Sequence, residues 1–567
     1  MPNFYSDNPD IQAHLQNTDL SEVVRLKERD FAEALEYPDA PASVEEAIDG
    51  YRRVLELVGE ISGDYIAERA PSVDEEGAKL VDGVVHYPRG IRESLAMLSK
   101  ADLMGFTLPR RFGGLNMPVT VYAMAIEIVS RADASLMTIF GLQDIADTIN
   151  NFADETLKAR YLPRFASGEF TGAMALTEPD AGSDLGAVRL RATEDPATGL
   201  WRLNGVKRFI TNGCGDVLLV LARSEEGTTL GTGLSLFICE RGPWIRVRRI
   251  ENKMGIHGSP TCELQFNDAP GYLVGKRKRG LIQYTMDLMN GARLAIAAQS
   301  IGIAEAAYRE ALEFARKREQ FGKAIIQFPA VYEMLVEMKL SIEAARSLAY
   351  SAALVVDTYK SLERAGLDDK ETGQRIRTLS KLADALTPMS KYYASEMCIR
   401  VALDAIQVHG GSGFMREYNV ERHLRDARIT SIYEGTSQLQ VVAAIAAIFG
   451  GNLTPRLEEL RGKPYPEALQ PLADGLSRAL DTWKASVEAV RATKNQEYMS
   501  YQARRVVDMA CDIYIGYLLL GQAGWSRHKE AVARAFVSRR LPELEAKAAY
   551  IRSGDRSVLD GRPDILP

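Results

Sequence analysis

The hydrophobic period of this chain changes twice, and that alternation limits its possible folds more than any other feature. Up to about residue 165 the apolar positions recur at helical spacing, as with Val54, Leu55, Leu57, Val58 and Ile61. Between about 166 and 280 the pattern becomes a series of short β-rich runs. They are Trp201-Arg-Leu-Asn-Gly205, Arg208-Phe-Ile-Thr211, Val217 to Ala222, Leu234 to Ile238 and Cys262 to Phe266, with turns such as Asp195-Pro-Ala-Thr-Gly199 between them. From about 281 to 450 the helical period returns in longer segments, clearest over 294–317, 330–359 and 376–408. After Gly450-Gly451 three more helical segments follow, at 472–492, 498–521 and 530–551. Helices, then strands, then helices is an α+β order rather than an alternating βαβ one. The spacing predicts a helical domain (1–165), an antiparallel β-sheet or small barrel (166–280), a helical bundle (281–450) and an additional helical domain (451–567). No GxGxxG follows a strand to open a helix, so a Rossmann dinucleotide fold has no support.

Charge and cysteine usage narrow the function classes. The 567 residues carry a net charge of -7, which disfavours a nucleic-acid binder, since phosphate recognition needs a dense cationic face. The five cysteines are odd in number and form no CxxC pair, and the six histidines form no HExxH. This argues against a disulfide framework and a thiolate metal site and fits a reducing cytoplasm. The first ten residues lack a basic and an apolar region, so no signal peptide is expected. The longest apolar run near the end, Ile513 to Leu520, falls short of the ~18 residues of a membrane span and predicts a buried helix.

Four polar segments could carry chemistry. Leu176-Thr-Glu-Pro-Asp-Ala-Gly-Ser-Asp184 offers the hydroxyls of Thr177 and Ser183 in a turn shaped by Pro179 and Gly182. Such a loop can aim N–H and O–H groups at a bound heterocycle, although composition alone equally describes a surface turn. Arg318-Glu-Gln-Phe-Gly-Lys323 places a guanidinium suited to phosphate at what could also be a solvated helix end. In Gln407-Val-His-Gly-Gly-Ser-Gly-Phe414 a helix C-cap explains one glycine but not three within four positions, which permit close approach to a ligand. In Ile432-Tyr-Glu-Gly-Thr-Ser-Gln-Leu-Gln440, Thr436 or Ser437 is a fair N-cap for the helix that follows, and a helix N-terminus is an anion site. Glu434 alone would be only a carboxylate near that N-terminus.

Taken as strings, these segments resemble the acyl-CoA dehydrogenase family. Leu176 to Asp184 is similar to the TEPxAGSD signature, Asn204-Gly-Val-Lys-Arg-Phe-Ile-Thr-Asn-Gly213 to the NGxKxxITN hairpin, and Arg318 to Lys323 to the RxxFGK element. The resemblance covers about residues 90 to 450, with the motifs in family order. The run Lys253 to Cys262 and the C-terminal extension resemble the longer members. It implies an FAD site in which Met174, Leu176, Thr177, Ser183, Phe209 and Thr211 face the flavin, joined by Thr436 and Gln438. Arg318, Phe321, Gln407, Gly410 and Gly411 would reach the FAD of a neighbouring subunit. Ser183, Arg293 and Gly435 would contact substrate. Glu434 matches the catalytic base. Some members carry that base just before the arginine matched by Arg293, but here the position is Ala292, which cannot act as one.

The implied reaction removes two hydrogens across Cα–Cβ of an acyl-CoA, Glu434 taking the α-proton and hydride leaving Cβ for flavin N5. The family passes electrons to an electron-transferring flavoprotein; related oxidases use oxygen, and some relatives bind nucleic acid instead. The resemblance also implies a homodimer, preferred over a tetramer because the extension would cover the face that short members use. A packing role is expected for residues 451–567, the alternative being membrane or partner docking through a basic helix face of Arg504, Arg505, Arg527, His528 and Lys529. No motif fixes the acyl group.

Overall fold

A computed structural model describes residues 2–366 and 369–566. Ten helices precede the β region: α1 (Pro9–Asn17), α2 (Ser21–Lys27), α3 (Glu33–Glu36), α4 (Val44–Glu60), α5 (Ala67–Glu76), α6 (Arg89–Lys100), α7 (Val119–Ala132), α8 (Ala134–Gly141), α9 (Ile145–Phe152) and α10 (Glu155–Ala166). They are interrupted by a hairpin of β1 (Lys79–Val81) and β2 (Val84–His86), whose three-residue strands are too short to show a period in the sequence. The α7 helix is buried almost all round. It is capped from a distance, because the carboxylate of Asp357 accepts hydrogen bonds from the backbone N–H groups of Val119 and Thr120, both at 2.7 Å.

The β domain contains β3 (Gly172–Ala175), β4 (Arg191–Glu194), β5 (Trp201–Thr211), β6 (Val217–Arg223), β7 (Leu234–Glu240), β8 (Ile245–Ile250) and β9 (Thr261–Leu273). Pairing runs β3-β6-β4-β5-β9-β7, and a further β6–β7 pairing closes the path into a small barrel. The pairs are antiparallel except β3–β6 and a single-residue contact between β4 and β6, which are parallel. Two runs that look separate in sequence, 201–205 and 208–211, are one strand, β5. Val206 and Lys207 between them pair regularly with β9; one register shift lies between Leu203 and Gly205, and a second between Lys207 and Ile210.

The bundle is built from α11 (Met286–Lys317), α12 (Pro329–Ala365), α13 (Lys370–His409), α14 (Val420–Thr430) and α15 (Ser437–Phe449), with a small hairpin of β10 (Glu319–Gln320) and β11 (Lys323–Ala324) after α11. The extension adds α16 (Thr454–Arg461), α17 (Gln470–Ala492), α18 (Gln496–Gln522), α19 (Arg527–Ser553) and α20 (Ser557–Ile565). It shares one hydrophobic core with the bundle, in which Leu348, Leu386 and Met389 meet Trp483, Ile513 and Phe536. The α18 helix proves long and apolar enough to cross a bilayer, contrary to the shorter run seen in sequence, but 83% of its most apolar stretch is buried here. All five cysteines are free and buried.

A buried ionic cluster ties the first helix, the bundle and the extension together. The guanidinium of Arg346, fully out of water, donates to Asp10 at 2.5 Å, Glu127 at 2.6 Å and Glu305 at 3.1 Å. Lys529 of α19 is equally buried and donates to Glu343 at 3.0 Å. Most cations of the alternative basic docking face also have partners within the chain. Lys529 belongs to this cluster, His528 bonds Glu343, Arg504 bonds Glu396, and Arg505 lies over the rings of Tyr501 and Tyr550. Helical spacing cannot show which cations already have partners on other helices.

Candidate active site

The loop from Leu176 to Asp184 is held by the strand beside it. Lys207 of β5 is wholly buried and donates to the Leu176 carbonyl at 2.7 Å and to Glu178 at 2.9 Å. Glu178 in turn accepts from the backbone N–H groups of Arg189 and Leu190, and the N–H of Arg208 donates to the Thr177 carbonyl at 2.9 Å. Burial pushes the Lys207 ammonium down to about 8 against the pull of Glu178. Two motifs far apart in sequence thus form one rigid platform, and a buried charge pair of this kind is costly to break.

The second register shift of β5 explains Phe209. A bulge inserts an unpaired residue and re-aims its side chain. Phe209 sits there with φ +60°, and its ring is 52% exposed rather than packed in the barrel. Its neighbour Thr211 is partly buried, as are Met174 and Thr177, whereas Leu176 is buried and Ser183 exposed. Leu176 and Ala181 share a core with Leu288 and Met289, one turn before Ala292 and Arg293 on α11. The Leu176 loop, whose residues the resemblance assigns to the flavin, is thereby packed against the helix that carries Arg293.

Glu434 lies in the turn between α14 and α15. Its φ of +53° and the +89° of Gly435 put two consecutive residues in the left-handed region, which is unfavourable for a glutamate. Three side chains hold the turn. Gln440 donates to the Glu434 carbonyl at 3.1 Å and the Gly435 carbonyl at 3.0 Å, and Lys391 donates to the Gly435 carbonyl at 2.7 Å. On the other side Tyr433 bonds Gln299 of α11. Thr436, not Ser437, is the N-cap of α15, accepting from the N–H of Leu439 at 3.3 Å; the Ser437 hydroxyl donates instead to Glu396 at 2.6 Å. Gln438 is exposed beside them.

Glu434 is half-buried, and burial of its carboxyl pushes its pKa above the usual carboxylate range; the charges of Lys391 and then Arg293 pull the other way. Among the described residues neither cation forms a direct ion pair with it. Arg293 donates to Asn290 at 3.0 Å, while its Nε is buried without a partner. Position 292 presents only a buried methyl group. No sequence string pointed to Lys391, and Lys207 and Gln440, although inside the quoted motifs, have roles visible only in the fold.

The remaining predicted cofactor residues lie elsewhere. Arg318 follows α11, and Phe321 with Gly322 forms the tip of the β10–β11 hairpin, at φ +51° and +77°. Two such residues make a two-residue hairpin turn. Gln407 is near the end of α13, and Gly410 (φ +58°) and Gly411 follow it. These two segments are neighbours, since Phe314 stacks on His409 with ring centroids 4.3 Å apart. Both are far from Glu434: the 18 residues from Lys391 to His409 span about 27 Å of helix. Within one chain the predicted site therefore divides into two clusters at opposite ends of the bundle.

The residues that the resemblance assigns to the flavin and the substrate fit FAD. Phe209 offers an exposed aromatic face, Thr177 and Thr211 offer hydroxyls beside it, and the unpartnered Arg293 Nε leaves a donor for an anionic ligand.

Comparison with known proteins agrees with this layout. Family models match in chain order: acyl-CoA dehydrogenase N-terminal domain over residues 52–169, middle domain over 173–269, C-terminal domain over 279–448, and a further acyl-CoA dehydrogenase C-terminal model over 450–556. An acyl-CoA dehydrogenase of Bacillus subtilis is 38% identical over 63% of this chain and 89% of its own length. A 3-methylmercaptopropionyl-CoA dehydrogenase of Ruegeria pomeroyi is 33% identical over 79% and 81%. The fold is that of an acyl-CoA dehydrogenase from Bacillus anthracis solved with FAD, at TM-score 0.76 and 22% identity, covering 88% of each chain. Barrel, bundle and buried carboxylate together define a flavin-dependent oxidoreductase. More particularly, the chain belongs to the acyl-CoA dehydrogenase family.

Proposed function

We propose that the protein oxidises an acyl-CoA thioester to its 2,3-enoyl-CoA, with Glu434 as the base that removes the α-proton. What carries this reading is the position of Glu434, a carboxylate withdrawn from water, held in a left-handed turn and facing no rival base at Ala292. Desolvation makes a carboxylate more basic and so narrows its gap to a weakly acidic carbon. The pinned carbonyls of Glu434 and Gly435 fix the orientation of the turn's N–H groups, the kind of donor that stabilises an oxyanion on a thioester. Arg293 and Ser183 would orient the CoA ester, and Phe209 with Thr177 and Thr211 would seat the cofactor ring. FAD, when bound, supplies the acceptor for the hydride leaving Cβ.

The division of the predicted cofactor residues supports a homodimer in which Arg318, Phe321, Gln407, Gly410 and Gly411 complete the site of a second copy. The extension covers one face of α12, α13 and α15, which favours a dimer over a tetramer. Electrons would pass to an electron-transferring flavoprotein, as the family resemblance implies. The test is anaerobic mixing with a panel of short, long, branched, cyclic and dicarboxylic acyl-CoAs. At least one should bleach the flavin of the wild type, and that one should leave Glu434→Gln, loaded with FAD, unbleached. Rapid bleaching of Glu434→Gln would overturn the assignment, and steady hydrogen peroxide release at near-full turnover would replace the flavoprotein acceptor by oxygen.

A further inference from the structure

We propose that Lys391 is a positioning residue for the base: its ammonium fixes the Gly435 carbonyl, and its charge holds Glu434 as a carboxylate. The inference rests on the reading of Glu434 as the base. Lys391 lies in the middle of α13, 43 positions before Glu434, and has no exposed surface. A lysine so placed has given up its hydration, and one carbonyl at 2.7 Å replaces little of it. If the only task were to bond that carbonyl, a neutral donor would do it at lower cost, and Gln440 already does so at 3.0 Å. What a neutral side chain cannot supply is positive charge beside a desolvated carboxylate.

The groups acting on Lys391 come from every element packed around it. Glu434 in the turn before α15 and Glu396 one turn along α13 favour its charged form, and Arg293 of α11 opposes it. Glu396 is itself tied to Ser437 at 2.6 Å and to Arg504 of α18 at 2.9 Å, which fixes its direction. Asp384 acts on Arg293 from the same helix. Burial outweighs the carboxylates and brings the ammonium down to about 7. Burial raises the pKa of Glu434 above the usual carboxylate range, and of the two cations that oppose this Lys391 gives the larger contribution. The two groups thus restrain each other: desolvation strengthens the base, and the charge of the lysine favours its ionised form.

The test is the pH profile of anaerobic flavin bleaching in FAD-loaded Lys391→Gln and Lys391→Arg. Glutamine keeps a donor for the Gly435 carbonyl without the charge; arginine keeps the charge. In the glutamine variant the acid limb should move to higher pH by about one unit, and arginine should restore it. A uniform loss of rate at every pH, with the limb unmoved, would overturn the proposal and leave Lys391 a scaffold residue. Failure of the glutamine variant to fold or hold FAD would do the same, because it would show that the lysine serves the structure as a whole rather than the ionisation of Glu434. The Glu434 reading is separately decided: if Glu434→Gln stays unbleached while Lys391→Gln keeps the wild-type limb, only the role of Lys391 falls.

Discussion

The two ends of the bundle are built on opposite principles. At the end that holds Glu434, the turn is answered from inside the chain: Gln440, Lys391 and Tyr433 reach it from three helices or turns, and Glu396 with Arg504 backs them. At the end that holds Arg318 and Gly410, side chains point into open space. Phe321 is 94% exposed and Phe414 80%, and a side chain built on Gly410 or Gly411 would meet nothing within 4 Å. Large exposed apolar groups close together on one surface mark a contact site, since single chains seldom leave them unburied. One end is complete; the other presents material to something that arrives from outside. If both clusters serve FAD, the arriving body is a second copy, and each cofactor takes its base from one chain and its hairpin from the other.

The largest effect that separates the ends is on chemistry. Glu434→Gln should slow flavin bleaching by about a thousandfold, the scale of a general base, with FAD content unchanged in the visible spectrum. Arg318→Ala should act on binding instead. Losing one charge-assisted phosphate bond costs about 2 kcal/mol, so FAD affinity should fall roughly thirtyfold by titration while the bleaching rate of loaded protein holds. Mixing the two variants, at an FAD concentration too low to load Arg318→Ala, sharpens the comparison. In a dimer with composite sites, a mixed pair has one site carrying both defects and one carrying neither, so activity should return on subunit exchange. Absence of any recovery, with exchange verified by mass, would confine each FAD to a single chain.

Protonation gives a smaller effect. As the proposed base Glu434 acts as a carboxylate, and burial has raised its pKa, so that form is present above that value and is lost as pH falls through it. The bleaching rate should therefore decline on the acid side at a higher pH than an ordinary glutamate would give, about tenfold per unit once below the pKa. FAD retention should not follow this limb, because the far cluster has no carboxylate among the residues assigned to it.

The fold was legible in sequence to the extent that it depended on period. The helix-to-strand-to-helix changes near 166 and 280 fall between α10 and β3 and between β9 and α11, because one-sided burial imposes its period on sequence. The β1–β2 hairpin, β3 and β4 were not legible: three or four residues cannot carry an alternation, and β3 and β4 are set by neighbours such as Val220 and Leu203. The expectation for Phe209 rested on the motif string alone. Its physical basis, the bulge in β5, depends on how β9 pairs with it, and no local pattern encodes that. The same holds for Lys391, whose buried charge reads on α13 like any other interior position. Motif strings singled out the candidate residues; long-range pairing determines how they are held.

The smallest expected effect tests whether the complete end is over-determined. Gln440→Ala removes two hydrogen bonds to the turn, one to each carbonyl, worth about 1 kcal/mol apiece. Gly435 keeps its bond from Lys391, and Tyr433 still fixes the chain one residue earlier, so the left-handed pair should persist with more freedom. The bleaching rate should drop about tenfold, the change expected for roughly 1.4 kcal/mol of lost preorganisation. The acid limb should stay in place, since no charge has been removed. A loss as large as that of Glu434→Gln would mean that the turn has a single essential support, and the near end would then be no better secured than the far one.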